Sequence, residues 1–500
     1  MATIALEDLT AEAAKLLDSL GEGSMSPCAY DTAWVARLRQ PHNPDEPLFP
    51  ASFDWLLRNQ HADGSWGAEI PFAHDRVICT MSALVALAAA GPHRHDEAQL
   101  AVRRGVLYLN RERPNLRDDP AETVGFELIL PELVRQAQAL GLRLPYKDWE
   151  FIEAIKADKL RRIPPIAIYG GPTTLTHSLE YLGDRLAPML VQRCQSPNGS
   201  YGASPSATAY VEMQRYDADA ATFLQDLAAS HADGGIPFFW PFTMYDFAWV
   251  LRELLPVRSH LEDYPDAVKL LASFWTPQGM HDAQAGTIPD LDTTAMAAIV
   301  LFQQHEMEVD FAGFDLFEAD DHFYCYAFER NPSVTANAHL LEALRLQPDT
   351  PERRRMLLKA VSYLKGAREG KPYWQDKWHA SPFYATAQAV RALAGIAPEA
   401  VRSATGWVLS QQHEDGTWGV TDRTPEETAL ALDTLIVSSL ADPAFREASL
   451  GALELGIAYL TDHLHDPPTP LWVGKGLYAP HVMVHAIKLG SLFRADALLQ

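Results

Sequence analysis

Gln60-His-Ala-Asp-Gly64-Ser-Trp66 closes one helix-like segment and turns the chain toward the next. The same order of residue types, Q-x-x-[DN]-G-x-aromatic, returns as Gln195-Ser-Pro-Asn-Gly199-Ser-Tyr201 and as Gln412-His-Glu-Asp-Gly416-Thr-Trp418. An Asp-Gly or Asn-Gly pair suits a turn with positive φ, after which the aromatic ring folds back on the end of the preceding helix. Gln is long enough to tie that end to the next helix. These residues read as a repeated helix-turn staple without chemistry of their own. The copies are unequally spaced, which argues against a simple solenoid and for helical hairpins arranged in rings.

Around the repeats, apolar residues recur at helical spacing, for example over 100–110, 133–142, 357–364, 384–393, 428–440 and 450–460. Alternating, strand-like runs are nearly absent. Gly and Pro clusters such as Gly170-Gly171-Pro172, Gly234-Gly235 and Pro467-Pro468 punctuate the segments. The fold class is all-α, with many helices joined by short turns. At 500 residues and 47% hydrophobic content the chain is folded throughout and long enough for two or three domains.

Lys plus Arg number 41 against 65 Asp plus Glu, a net charge of −24, so a phosphate backbone is a poor partner and nucleic acid is excluded as a first reading. Cys28, Cys79, Cys194 and Cys325 are scattered, with no metal-site or disulfide spacing, and read as reduced thiols. No basic, then apolar leader opens the sequence, and no apolar run is long enough to span a bilayer. A cytoplasmic location without a transmembrane segment is expected. Twelve Trp, 17 Tyr and 20 Phe exceed what a plain core needs and suit the walls of a large apolar cavity.

Further stretches are Ala29-Tyr30-Asp31-Thr32-Ala33-Trp34, Val124-Gly125-Phe126-Glu127, Pro172-Thr173-Thr174-Leu175 with His177-Ser178-Leu179-Glu180, Ser204-Pro205-Ser206-Ala207-Thr208-Ala209, and Asp290-Leu291-Asp292-Thr293-Thr294-Ala295. With the three staples, which match QW motifs, they make the chain resemble the class II terpene cyclases almost from end to end. It is most similar to the bacterial D-x-D-T-T variant of the copalyl and halimadienyl diphosphate synthases. The resemblance implies two α-barrel (αα-toroid) domains, β and γ. Residues 1–20 would hold the first helix of β, 21–233 an inserted γ domain, and 234–500 the rest of β, with the active site between the two.

Taken alone, Asp290 to Thr294 ahead of the apolar run 295–302 reads as a helix N-terminus. The resemblance makes Asp292 the general acid that protonates the terminal alkene of a prenyl diphosphate, with Asp290 as its close partner. Thr293 stands where the family's D-x-D-D pattern has its last Asp. Such an acid needs a dry site that keeps it protonated and hydrogen bonds that stabilise its conjugate base. By resemblance Asn337 or His339, with His339 preferred, bonds to the acid, and His177 lies where plant copalyl diphosphate synthases hold the water that takes the last proton. Their companion Asn has no counterpart near Phe223 to Asp226.

Carbocations need aromatic faces, for which Trp240, Trp374, Tyr384 and Trp472 are the candidates. The diphosphate needs cations or Mg²⁺. Arg162 resembles the family's diphosphate-contacting base, Lys377 and Lys475 are further candidates, and Glu127 resembles an acidic residue linked to Mg²⁺. Asp118-Asp119-Pro-Ala-Glu122 imitates the metal motif of ionising, class I synthases, but its second metal motif is missing, so ionisation is rejected.

The expected reaction is cyclisation of geranylgeranyl diphosphate to a bicyclic labdane- or halimadane-type diphosphate, for a downstream diphosphate-processing enzyme to consume. Farnesyl diphosphate closing to drimenyl diphosphate is the alternative. A squalene-type cyclase fits less well. From another class, a non-catalytic helical-ring scaffold predicts an open apolar groove and indifference to Asp292→Ala.

Overall fold

The computed structural model describes residues 6–21, 23–90, 94–164, 166–304, 311–326 and 329–500. The opening segment expected up to residue 20 includes residues 1–5, which lie outside that set. The protein is mostly helical and has the αα-toroid fold. Among the described residues, strands occur only in three small antiparallel hairpins, one of which pairs Trp472–Val473 with Leu477–Tyr478.

One ring is formed by the helices Thr243–Glu253, Leu291–Gln304, Val334–Arg345, Pro382–Leu393, Pro425–Ala441 and His481–Leu499. Each packs on the next, and the last packs back on the first. Tyr264–Ser273, Pro351–Gly366, Pro398–Ser410 and Pro443–Asp462 form the outer layer, and Leu6–Asp18 also packs on His481–Leu499. A second ring runs through Ala29–Ala36, Ala73–Ala88, Phe126–Ala139, the kinked 3₁₀ segment Thr176–Arg185 and Pro205–Gln214. Inner helices such as Leu291–Gln304 are buried on nearly every side and rich in Ala, which lets neighbouring backbones approach. The outer helix Leu6–Asp18 buries only Leu9, Ala13, Leu16 and Leu17, one apolar stripe.

The staples build these rings. Trp66, Trp374 and Trp418 are fully buried, and each indole N–H donates to a carbonyl of the preceding outer helix, Leu56, Leu364 and Val408, at 2.7–2.8 Å. Gln60 Nε2 donates to Gly64 O at 2.8 Å and to Ala101 O of the next outer helix at 2.9 Å. Gln412 repeats the pattern on Gly416 and Ala452. Gly64 has φ +98°, and a Cβ there would stand 2.5 Å from Arg104 O, so the turn requires glycine.

A further regularity joins each turn to the inner helix that follows. The backbone N–H of Trp66, Tyr201, Trp374 and Trp418 donates to the hydroxyl of Thr80, Thr208, Thr386 and Thr428 at 3.0–3.2 Å. Met280 N–H on Thr294, 2.9 Å, and Phe323 N–H on Asn337 Oδ1, 3.0 Å, are the same contact where the sequence repeat has decayed, and Ile236 N–H on Thr32, 2.9 Å, is its counterpart with a helix that precedes the turn in sequence. Trp374 and Asn337 are thereby explained as structural residues. The expectation that Trp374 lines the cavity is corrected, because its ring is locked between helices. Asn337 does not reach Asp292: its amide also donates to Phe323 O and Ser333 O, both at 2.8 Å.

Candidate active site

The first turn of Leu291–Gln304 fixes the position of the D-x-D-T-T side chains. Asp290, rather than Asp292, caps it: Thr293 N–H donates to Asp290 Oδ1 at 2.8 Å. Thr294 Oγ1 donates to Asp290 O at 2.5 Å while receiving Met280 N–H. Asp292 lies two residues before the staple Thr294, as Tyr384 lies before Thr386 and Glu426 before Thr428. Equivalent positions of three inner helices thus deliver these side chains to one end of the ring.

Asp292 is 7% exposed and His339 fully buried. His339 Nδ1 stands 2.5 Å from Asp292 Oδ1, and its Nε2 is 3.2 Å from Gln388 Oε1. The Trp249 ring meets His339 edge-on at 6.1 Å. Trp249 Nε1 donates to the Tyr384 hydroxyl at 3.0 Å. Tyr384 packs on Trp472 and His379, each 4.8 Å between ring centres, and Trp472 Nε1 donates to Glu426 Oε1 at 2.8 Å. The Asp292 charge also acts on the Tyr384 phenol, whose pKa burial pushes well up. Asp292, His339, Tyr384 and Trp472 therefore form one assembly. Gln388, Trp249 and Glu426 belong to it without having been expected.

Burial raises the Asp290 pKa to about 7, and the neighbouring Asp292 charge adds to that while the bond from the Thr293 backbone N–H opposes it. Asp290 Oδ2 and Thr293 Oγ1 are buried without a hydrogen-bond partner among the described residues. The aromatic group of Phe238, Phe239, Phe242, Tyr245 and Tyr478 is mutually packed, with centroid separations of 4.5–6.2 Å. Asp290 acts on the buried Tyr245 and Tyr326 phenols, which places this group beside the acidic turn.

His177 joins the same aromatic group from the second ring, 5.8 Å from Phe238 and 5.7 Å from Phe239. Its Nδ1 is 2.9 Å from Gly202 O, so Nδ1 carries the hydrogen and Nε2 presents a lone pair. Burial, reinforced by the Lys475 charge, lowers its pKa to about 3 and keeps the ring neutral. Trp240 instead packs on Phe223 at 5.3 Å, and its backbone N–H donates to Ala203 O at 2.9 Å.

The cations divide. Lys475, on the hairpin that also carries Trp472 and Tyr478, enters the second ring and is fully buried. Its ammonium donates to Glu180 Oε1 at 2.7 Å, Ser204 Oγ at 2.8 Å and Ser206 Oγ at 2.5 Å. All three N–H donors are occupied, so the expectation that it holds a diphosphate is corrected. Lys377 is tied to Glu329 and, at 2.7 Å, to Asn331 O. Arg162 is 62% exposed and pairs with Asp158. Glu127, 5% exposed, accepts from Lys159 at 2.6 Å. Arg330 pairs with Glu122 and also interacts with Glu127 and Asp158, so carboxylates from the second ring surround a cation from the first. Asp119 of the class I look-alike caps Ala73–Ala88 by accepting from Ala73 N and His74 N at 2.9 and 2.7 Å.

Residues 325–463 match the squalene-hopene cyclase C-terminal domain family. The chain is 32% identical to the type B diterpene cyclase of Mycobacterium tuberculosis (strain H37Rv), over 96% of this chain and 97% of that protein. The solved ent-copalyl diphosphate synthase from Streptomyces platensis is similar with a TM-score of 0.79 and 29% identity, covering 98% of this chain and all of that one. The Arabidopsis thaliana ent-copalyl diphosphate synthase, solved with (S)-15-aza-14,15-dihydrogeranylgeranyl thiolodiphosphate, gives a TM-score of 0.73 and 26% identity over 99% of this chain. This chain spans 63% of the length of that structure.

Proposed function

Given that the chain belongs to the class II diterpene cyclases, we propose that it cyclises geranylgeranyl diphosphate to a bicyclic labdane- or halimadane-type diphosphate and leaves the diphosphate on the product. The observation that carries this reading is the buried Asp292–His339–Gln388 chain beside aromatic faces. The scaffold alternative gives way, since the chain is a terpene cyclase.

In this reading Asp292 transfers its proton to the less substituted carbon of the terminal alkene. The electron pairs of the next two alkenes close two rings in turn, and loss of one proton from carbon ends the sequence. The net change is an isomerisation. With Oδ1 held by His339, Oδ2 is the oxygen left to face the substrate, and the carboxylate formed accepts from His339 Nδ1–H, which supports its acidity. Tyr384, Trp472 and Trp249 offer ring faces to the cations without offering a nucleophile. His177, neutral with Nε2 unprotonated, is suited to take the last proton directly or through water.

The diphosphate is assigned to the charged seam between the rings, where Lys159, Arg162 and Arg330 alternate with Glu122, Glu127 and Asp158. Carboxylate oxygens of this kind fit Mg²⁺, which Glu127 would hold and which would supply positive charge to the diphosphate. The division at residues 20 and 233 is proposed with it, supported by the packing of Leu6–Asp18 on His481–Leu499. A retained diphosphate also implies a later enzyme that removes or ionises it.

The test incubates the purified protein and Mg²⁺ separately with geranylgeranyl and farnesyl diphosphate and analyses the dephosphorylated extracts. A bicyclic C20 alcohol from the first is expected. A drimane-type product from the second alone would reassign the substrate, and no cyclised product from either would refute the reading.

A further inference from the structure

Away from the acid, the first helix, the segment after Pro443–Asp462 and the last helix converge on one groove. It encloses about 290 Å³ and is lined by Leu16, His465, Asp466, His481, His485 and Lys488 among others. At its edge Glu12, His465 and His485 each bring a potential ligand atom, all within 4.8 Å of one another. The rings of His465 and His485 stack, with centres 5.9 Å apart and planes inclined by 29°. The Lys488 ammonium is turned to Asp466 O at 3.1 Å.

We propose that Glu12, His465 and His485 form a Zn²⁺ site that clips the first helix to the last. Two imidazole nitrogens and one carboxylate oxygen are a donor set that Zn²⁺ accepts with water in a fourth position, whereas Mg²⁺ prefers oxygen alone. The three ligands come from elements that pack together only in the folded ring, so the ion would bind the native state and stabilise it. His465 precedes and His485 follows the hairpin that bears Trp472, Lys475 and Tyr478. Bound metal would therefore brace both ends of the segment that links the two rings. The site stands apart from the seam assigned to Mg²⁺ and does not depend on the substrate reading.

The test uses the full chain stripped of metal with a chelator and titrated with Zn²⁺ alone, and with Mg²⁺ alone, by calorimetry. One equivalent of Zn²⁺ is expected, with a raised Tm and no comparable response to Mg²⁺. His465→Ala, exposed in the native protein and so benign to folding, and Glu12→Gln should each weaken Zn²⁺ binding at least tenfold while leaving the metal-free circular dichroism spectrum unchanged. Co²⁺ should give a visible absorption band that His465→Ala abolishes. Absence of saturable Zn²⁺ binding, or affinity and Co²⁺ spectrum unaltered by both substitutions, would overturn the proposal.

Discussion

Asp292 and His339 stand 47 residues apart in sequence, yet their side chains meet at 2.5 Å because they lie on adjacent helices of one closed ring. If that contact sets the acid, Asp292→Ala should abolish cyclisation, by a factor of at least about a thousand, while a fluorescent substrate analogue still binds. His339→Ala should lower kcat by about ten- to a hundredfold with little change in KM and a shifted pH profile. Product analysis by gas chromatography separates these cases, and an Asp292→Ala enzyme with near-normal turnover would remove Asp292 from the mechanism.

Asp290 makes stability depend on pH in a defined direction. Its native pKa is about 7 against 3.8 for the unfolded chain. Between those values the unfolded state loses a proton that the native state keeps, so stability falls as pH rises and levels off above about 7. The full effect is on the order of 4 kcal/mol. Thermal melts of Asp290→Asn and wild type should diverge from pH 5 to pH 8 in favour of the variant. Parallel curves would show that Asp290 is ionised throughout.

Staple residues should affect folding and leave chemistry alone. Trp418→Ala is expected to lose about 3–5 kcal/mol in urea unfolding. Asn337→Leu, which strands the buried Phe323 N–H, should lose about 1–3 kcal/mol. Neither should alter the pH profile of the remaining activity. A changed profile in Asn337→Leu would return that residue to the acid's surroundings.

Lys475 and Glu180 are expected to behave as a buried pair. Lys475→Met alone leaves a carboxylate without its cation and should destabilise by about 3–5 kcal/mol. The double variant Lys475→Met with Glu180→Gln should recover much of that loss. Arg162→Ala, by contrast, should raise KM for the diphosphate with no change in stability. The decisive comparison is a denaturation cycle run beside steady-state kinetics.

Helix content, ring-forming hairpins and the acidic turn were legible because each is written in neighbouring residues: 3.6-residue periodicity, the Q-x-x-[DN]-G-x-aromatic order, Asp290 to Thr294. Staple positions that kept only the hydrogen bond, such as Met280 on Thr294, had lost the residue types that mark the repeat. For that reason Asn337 looked like a partner of the acid and Trp374 like a cavity wall. One signal was available: a Thr four residues after the helix-opening Ser204, Asp290 and Thr424. Gln388 and Trp249 could not be found this way, since their contacts with His339 and Tyr384 join residues 49 and 135 positions apart, the second pair on helices that face each other across the ring rather than follow one another in it. Lys475 was misjudged because no local pattern announces Glu180, 295 residues away.

Leu6–Asp18 packs on the closing helix of the first ring, while the second ring occupies the stretch of chain between that helix and Thr243–Glu253. The smaller toroid is thus tethered at both of its ends to its larger neighbour, like a pannier hung from two straps. Such a double attachment resists the book-like swing that a single tether permits.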